Sequence, residues 1–184
     1  GGRNLAMNYR LSDILIDEGR LHRRVKEIAE EVSREYQGKE LIVVGVLKGA
    51  VLFLSDLIRE LDVGVCVKID FMAVSSYGAS TKSSGVVRIV KDLDTDIKGK
   101  DVLLVEDIVD SGLTLAYLVK LLRERDPKSL KTCVLLDKPD RRQVQVPVDY
   151  RGFSIPDEFV VGYGLDYAGL WRNLPAIFVL RTEA

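Results

Sequence analysis

Val102-Leu103-Leu104-Val105-Glu106-Asp107-Ile108-Val109-Asp110-Ser111-Gly112-Leu113-Thr114-Leu115 is the stretch on which the fold turns. Its first four residues are an unbroken apolar run, the mark of a strand buried on both faces. Leu115, Leu118, Leu121 and Leu122 then recur at helical spacing, and Pro127 lies beyond the end of that helix. In an open parallel sheet, ligands bind beyond the carboxyl ends of the strands. Glu106 and Asp107 stand at such an end, where two adjacent carboxylates need a reason to be. Asp110-Ser111-Gly112-Leu113-Thr114 leads into the helix. Gly112 permits a tight backbone, the first N–H groups of the helix lack intrahelical partners, and Ser111 and Thr114 add hydroxyls. Together these make a cup for a phosphate dianion.

The rest of the chain repeats this strand–helix alternation. Asp17 caps a helix whose apolar residues Leu21, Val25, Ile28, Val32 and Tyr36 are three or four apart, and Gly38 ends it. Residues 41–47 form another continuous apolar run, and Val51, Leu54, Leu57, Ile58 and Leu61 follow at helical spacing. Residues 65–74, 86–90, 130–136, 159–161 and 177–180 complete the predicted strands, with a turn at Lys98-Gly99-Lys100. Alternation of this kind predicts an α/β fold with a mostly parallel central sheet flanked by helices. At 184 residues, the chain suits one domain spanning residues 1–184, large enough to fold without disulfides or a metal. Residues 75–85, with five Ser, one Thr and two Gly, cannot bury enough apolar surface to order themselves. They read either as a plain loop or as a lid over substrate.

Composition narrows the chemistry. The net charge of −1 gives no global attraction to nucleic acid or to an anionic membrane, so an anion site must be local. No apolar run approaches the ~18 residues that would span a bilayer, and the first residues lack the basic-then-apolar pattern of a signal peptide. Cys66 and Cys133 both sit among β-branched residues and read as reduced core thiols, which with the missing leader points to the cytoplasm. The single histidine, His22, lies in a charged helical segment. Its isolation excludes histidine-based triads and histidine-rich metal sites.

Phosphate on one side and paired carboxylates on the other suggest a sugar phosphate, whose vicinal hydroxyls or associated divalent cation the carboxylates would hold. The chain has no GxxxxGK[ST] loop, and Gly162-Tyr163-Gly164 does not continue into GxGxxG. An acid pair at a strand end also occurs as the phosphoacceptor site of a signalling receiver domain, so that alternative stays open from the residues alone.

Four apolar residues, Glu-Asp, two apolar residues and Asp-Ser-Gly-x-Thr resemble the signature of type I phosphoribosyltransferases. Gly45-Val46-Leu47-Lys48-Gly49-Ala50, Ser76-Tyr77-Gly78, Leu136-Asp137-Lys138 and the segment from Ile155-Pro156-Asp157 to Leu165-Asp166-Tyr167 extend the resemblance to the hypoxanthine-guanine phosphoribosyltransferase branch, over residues 14–180. The resemblance implies the type I fold with a small hood over the active site, built from N-terminal residues and approximately residues 138–175. It implies transfer of 5-phosphoribosyl from phosphoribosyl pyrophosphate (PRPP) to hypoxanthine or guanine, giving IMP or GMP and pyrophosphate, in purine salvage.

The same resemblance assigns roles. Glu106 and Asp107 would hold the ribose hydroxyls, directly or through water on Mg²⁺, and Asp166 would bind a second Mg²⁺. Asp110 would be the general acid/base, while Ser111, Gly112, the Leu113 backbone and Thr114 would cradle the 5′-phosphate. Lys48 and Gly49, with a cis Leu47–Lys48 bond, and Arg172 would contact pyrophosphate. Lys138 would donate to the purine 6-oxo group, which disfavours adenine because an amino group cannot accept that proton. Phe159 would stack on the purine, the Val160 backbone would read its edge, and Ser76 and Tyr77 would belong to a water-excluding lid. By composition alone, Lys48 reads equally as a solvated lysine and Phe159 as a core aromatic. Two related activities compete: a guanine-xanthine-preferring enzyme, and a phosphoribosyltransferase-fold RNA-binding regulator, which the balance of 27 Lys+Arg against 28 Asp+Glu disfavours. A homo-oligomer, dimer or tetramer, is expected by the resemblance.

Overall fold

The computed structural model describes residues 9–76 and 87–182. The elements are β1 (Tyr9–Ile16), α1 (Glu18–Tyr36), β2 (Glu40–Leu47), α2 (Val51–Glu60), β3 (Cys66–Ser76), β4 (Val87–Lys91), β5 (Asp101–Val109), α3 (Leu113–Arg123), β6 (Ser129–Asp137), β7 (Tyr150–Ser154), β8 (Val160–Val161) and β9 (Ile177–Thr182), with a 3₁₀ turn at Pro139–Arg141. Six strands form the main sheet in the order β4-β3-β2-β5-β6-β7. All neighbours run parallel except β3 and β4.

The continuous apolar runs are explained by cover on both faces. Leu41 and Val43 of β2, Leu103 and Val105 of β5, and Cys133 and Leu135 of β6 pack with α1 and α2. Ile42, Val44, Val102, Leu104 and Val134 face the other way and pack with Leu115, Leu118 and Leu122 of α3. The period-2 alternation of a strand sorts these residues into two cores. Asp17 caps α1 as its position suggests, accepting the Arg20 N–H at 2.8 Å, a contact that stabilises a helix by about 1 kcal/mol.

A second, antiparallel sheet has the order β1-β9-β8. Tyr9 pairs with Thr182 and Leu11 with Leu180, while Val160 pairs with Val179 and Val161 with Phe178. Neither β1 nor β7 was among the predicted strands. In β7, Gly152 interrupts the apolar pattern, yet a Cβ there would overlap the Leu135 carbonyl; the glycine permits close strand packing and does not mark a loop. Cys66 corrects its reading as a core thiol. It opens β3 at an exposed position, whereas Cys133 is buried, and burial pushes the Cys133 thiol far above its ordinary value.

Candidate active site

β5 is longer than its apolar start implied. Ile108 and Val109 continue the pairing with β6, opposite Leu136 and Asp137, so Glu106 and Asp107 lie within the strand and not beyond its end. Glu106 is buried. Burial, reinforced by the negative charge of Asp107, pushes its carboxyl well above the ordinary range. Burial also raises Asp107, against the lowering effect of the Ile108 N–H, which it binds at 2.7 Å, and of the Arg172 guanidinium. A carboxylate pair in this condition favours any cation or hydroxyl donor that restores its charged form.

The turn after β5 is held from several sides. Gly112 has φ +85°, and a Cβ there would lie 2.9 Å from Arg142 Cδ and 3.1 Å from the Val144 carbonyl oxygen. The Leu113 N–H donates to Ser111 Oγ at 3.2 Å, and Gln143 N–H donates to the Ser111 carbonyl at 2.8 Å. Around this turn lies a cavity of about 650 Å³, lined by Glu106, Asp110, Ser111, Gly112, Leu113 and Thr114, with Arg141 and Gln143 opposite. A helix start of this form suits a phosphate group.

Lys138 stands at the end of β6, only 7% exposed. Its Nζ is 3.8 Å from Asp110 and 3.9 Å from Asp157. Asp110 Oδ1 is itself buried without a hydrogen-bond partner among the described residues. Phe159 is 51% exposed, its ring edge-on to Tyr167 with centroids 5.7 Å apart. That exposure overturns the core-aromatic alternative. Val160 is buried.

A third group gathers at the end of β2. The Leu47–Lys48 peptide bond is cis, and Lys48 is exposed. A Cβ on Gly49 would collide with the Asp107 carboxylate, and a Cβ on Gly164 would collide with the Gly49 carbonyl. Residue 49 therefore lies between β5 and the loop that carries Asp166. Arg172 donates to the Gly164 carbonyl at 2.6 Å and pairs with Asp166 at 3.2 Å. Ser76 ends β3, and Tyr77 lies outside the described residues.

Three interactions were not read from sequence. Asp137, 1% exposed, is held by Arg142 and by Arg151 Nε at 2.7 Å, and Arg142 also donates to the Asp110 carbonyl at 3.2 Å. Asp157 is shared between Lys138 and Arg141. The Tyr163 hydroxyl donates to Asp56 of α2. A charged residue ending a buried strand signalled the first; nothing local signalled the others.

No group of three or more His, Cys, Asp and Glu side chains converges among the described residues, so there is no all-protein metal cage there. Glu106, Asp107 and Asp166 offer carboxylate oxygens only. That donor set fits Mg²⁺, which takes one or two carboxylates and fills its remaining positions with water and substrate phosphates.

Comparison with known proteins agrees with this arrangement. A family model described as phosphoribosyl transferase domain matches residues 13–168. The chain is 52% identical over 175 residues to the hypoxanthine-guanine phosphoribosyltransferase of Bacillus subtilis, covering 95% of this chain and 96% of that one. It is 50% identical over 167 residues to the hypoxanthine phosphoribosyltransferase of Escherichia coli, covering 90% and 93%. A crystal structure of a hypoxanthine-guanine phosphoribosyltransferase from Bacillus anthracis superposes with a TM-score of 0.89 at 47% identity, covering 95% of this chain and 100% of that one. Together with the strand order and the turn at Gly112, these likenesses show that the chain belongs to the phosphoribosyl transferase family.

Proposed function

We propose that the protein transfers the 5-phosphoribosyl group of PRPP to a 6-oxopurine, hypoxanthine or guanine, forming IMP or GMP and pyrophosphate in purine salvage. The observation that carries this reading is the buried Lys138 ammonium 3.8 Å from Asp110, itself part of the lining of the cavity around the Gly112 turn. A buried donor beside that cavity suits a carbonyl oxygen on the base and rejects an amino group.

In this reading the bond from the anomeric carbon to pyrophosphate breaks, its electron pair leaving with the pyrophosphate. A bond from the purine imidazole nitrogen forms, and the proton on that nitrogen passes to Asp110. Ser111, Gly112, the Leu113 N–H and Thr114 hold the 5′-phosphate and so fix the sugar against the base. Glu106 and Asp107 accept from the ribose hydroxyls, and their negative charge favours the cationic sugar of the transition state. Lys48, Gly49 and Arg172 hold the departing pyrophosphate. Phe159 stacks on the purine, and the Val160 backbone reads its edge. Glu106, Asp107 and Asp166 would hold Mg²⁺, which would supply charge neutralisation on the pyrophosphate. Ser76 and Tyr77 belong to a lid that keeps water out. The hood comprises the N-terminal residues and approximately residues 138–175.

The setting we infer is the cytoplasm, and the assembly a dimer or tetramer, which sedimentation would test. For the described residues, no helix is long and apolar enough to cross a membrane. The deciding experiment is steady-state turnover with PRPP, with and without Mg²⁺, offering hypoxanthine, guanine, xanthine, adenine or uracil. Turnover of hypoxanthine and guanine is expected; none with either sinks the reading. A clear preference for xanthine over hypoxanthine would replace it with the guanine-xanthine assignment.

A further inference from the structure

Tyr163 occupies an unusual place. Its φ is +50°, and the residue is only 4% exposed. Side chains rarely adopt that backbone conformation, so the surroundings must hold it. The Tyr163 N–H donates to the Leu174 carbonyl at 2.8 Å, and the hydroxyl donates to Asp56 Oδ2 on α2. The other oxygen of Asp56 takes the Arg59 guanidinium.

What this contact joins matters more than its own strength. α2 begins at Val51, three residues after Lys48, and its first turn is tied back by the Val51 N–H to the Lys48 carbonyl at 3.1 Å. On the other side, Gly164 follows Tyr163 and presses on the Gly49 carbonyl so closely that a Cβ would overlap it. Its N–H donates to the Arg172 carbonyl at 2.9 Å, and the Arg172 guanidinium bonds the Gly164 carbonyl and Asp166. The Tyr163–Asp56 hydrogen bond therefore sets the separation between the segment holding Lys48 and Gly49 and the segment holding Asp166 and Arg172.

We propose that Asp56 and Tyr163 are positioning residues for the pyrophosphate end of PRPP, holding the two segments that close around it at a fixed spacing. The inference rests on the proposed function, which assigns pyrophosphate to those segments. Without the hydroxyl, the loop is free to lift from Gly49, and Asp166 and Arg172 move away from Lys48. The purine side is held independently, because Val160 is paired to Val179 in the small sheet and Lys138 is anchored through its N–H to the Val109 carbonyl at 2.9 Å.

The test is steady-state kinetics in both directions on Tyr163→Phe, Asp56→Asn and Asp56→Ala, with melting curves to verify folding. Tyr163→Phe removes one hydrogen-bond donor, so KM for PRPP and for pyrophosphate should rise about tenfold, while KM for hypoxanthine stays within about twofold. Asp56→Ala should reproduce that pattern. Asp56→Asn, whose amide oxygen still accepts the tyrosine proton, should stay close to the unmodified protein. A lowered melting temperature with all KM values unchanged, or a parallel rise in all of them, overturns the proposal and leaves a structural contact. So does Asp56→Asn behaving like Asp56→Ala. Absence of turnover in the unmodified protein overturns the proposed function instead, so the two failures are distinct.

Discussion

The Lys138 ammonium lies 3.8 Å from the Asp110 carboxylate and 3.9 Å from that of Asp157, too far to be hydrogen-bonded to either. A nearly buried cation poised between two carboxylates is ready to donate elsewhere. Lys138→Met should reduce kcat/KM for hypoxanthine about 10–100-fold, the usual loss for a hydrogen bond from a charged donor. KM for PRPP should change little. Kinetics on hypoxanthine that match the unmodified protein would remove Lys138 from base recognition.

Asp110→Asn keeps the shape of the side chain and removes its capacity to take a proton. Turnover should fall about 10²–10⁴-fold, while calorimetry still detects PRPP binding, because the proposed phosphate contacts come from Ser111, Gly112 and Thr114. Unchanged turnover would strip Asp110 of its acid/base role.

Gly49→Ala inserts a methyl group where the Asp107 carboxylate already lies. The backbone of residue 49 is pinned from the opposite side by Gly164, so neither partner can retreat freely. Overpacking of this kind costs about 1–3 kcal/mol. A lower melting temperature and a raised KM for PRPP are expected together; a fully active, equally stable variant would show that residue 49 has slack.

Tyr36 supplies a pH test remote from the cavity. Burial, with help from the neighbouring Glu35 charge, pushes its hydroxyl from 10.0 up to about 12. A raised pKa means that the folded chain keeps this proton more firmly than the unfolded chain does. Stability should therefore be lost as pH rises from 10 towards 12, by about 1–3 kcal/mol. Tyr36→Phe should flatten that alkaline decline in melts recorded across the range. An unchanged slope would mean that other groups control it.

Much of the fold was legible because periodicity is local. The apolar spacing of α1 and the unbroken runs of β2 and β5 follow directly from burial on one stripe or on two faces. The length of β5 was less legible, since Glu106 and Asp107 look like the end of a buried strand when the pairing of Ile108 and Val109 with β6 is unseen. β7 was hidden by Gly152, whose purpose is visible only once Leu135 lies against it. Among the site residues, the turn from Asp110 to Thr114 was readable because glycine, hydroxyls and a helix start are neighbours in sequence. The hold on that turn was not: Arg142 reaches back to the Asp110 carbonyl and to Asp137. Least readable was the Asp56–Tyr163 contact, between residues 107 positions apart, since no local pattern encodes a partner so remote.

The pairing of β1 with β9 has a consequence for how the protein comes into being. Tyr9 finds its partner in Thr182, and Val160 finds its own in Val179. During synthesis the six-stranded sheet can assemble as soon as residue 154 has emerged, and the turn at Gly112 with it. The three-stranded sheet must wait for residues 177–182, because β9 is its centre. Long-range pairings of this kind form slowly. On the ribosome, the six-stranded sheet can form first, and the three-stranded sheet is completed only once residues 177–182 have emerged.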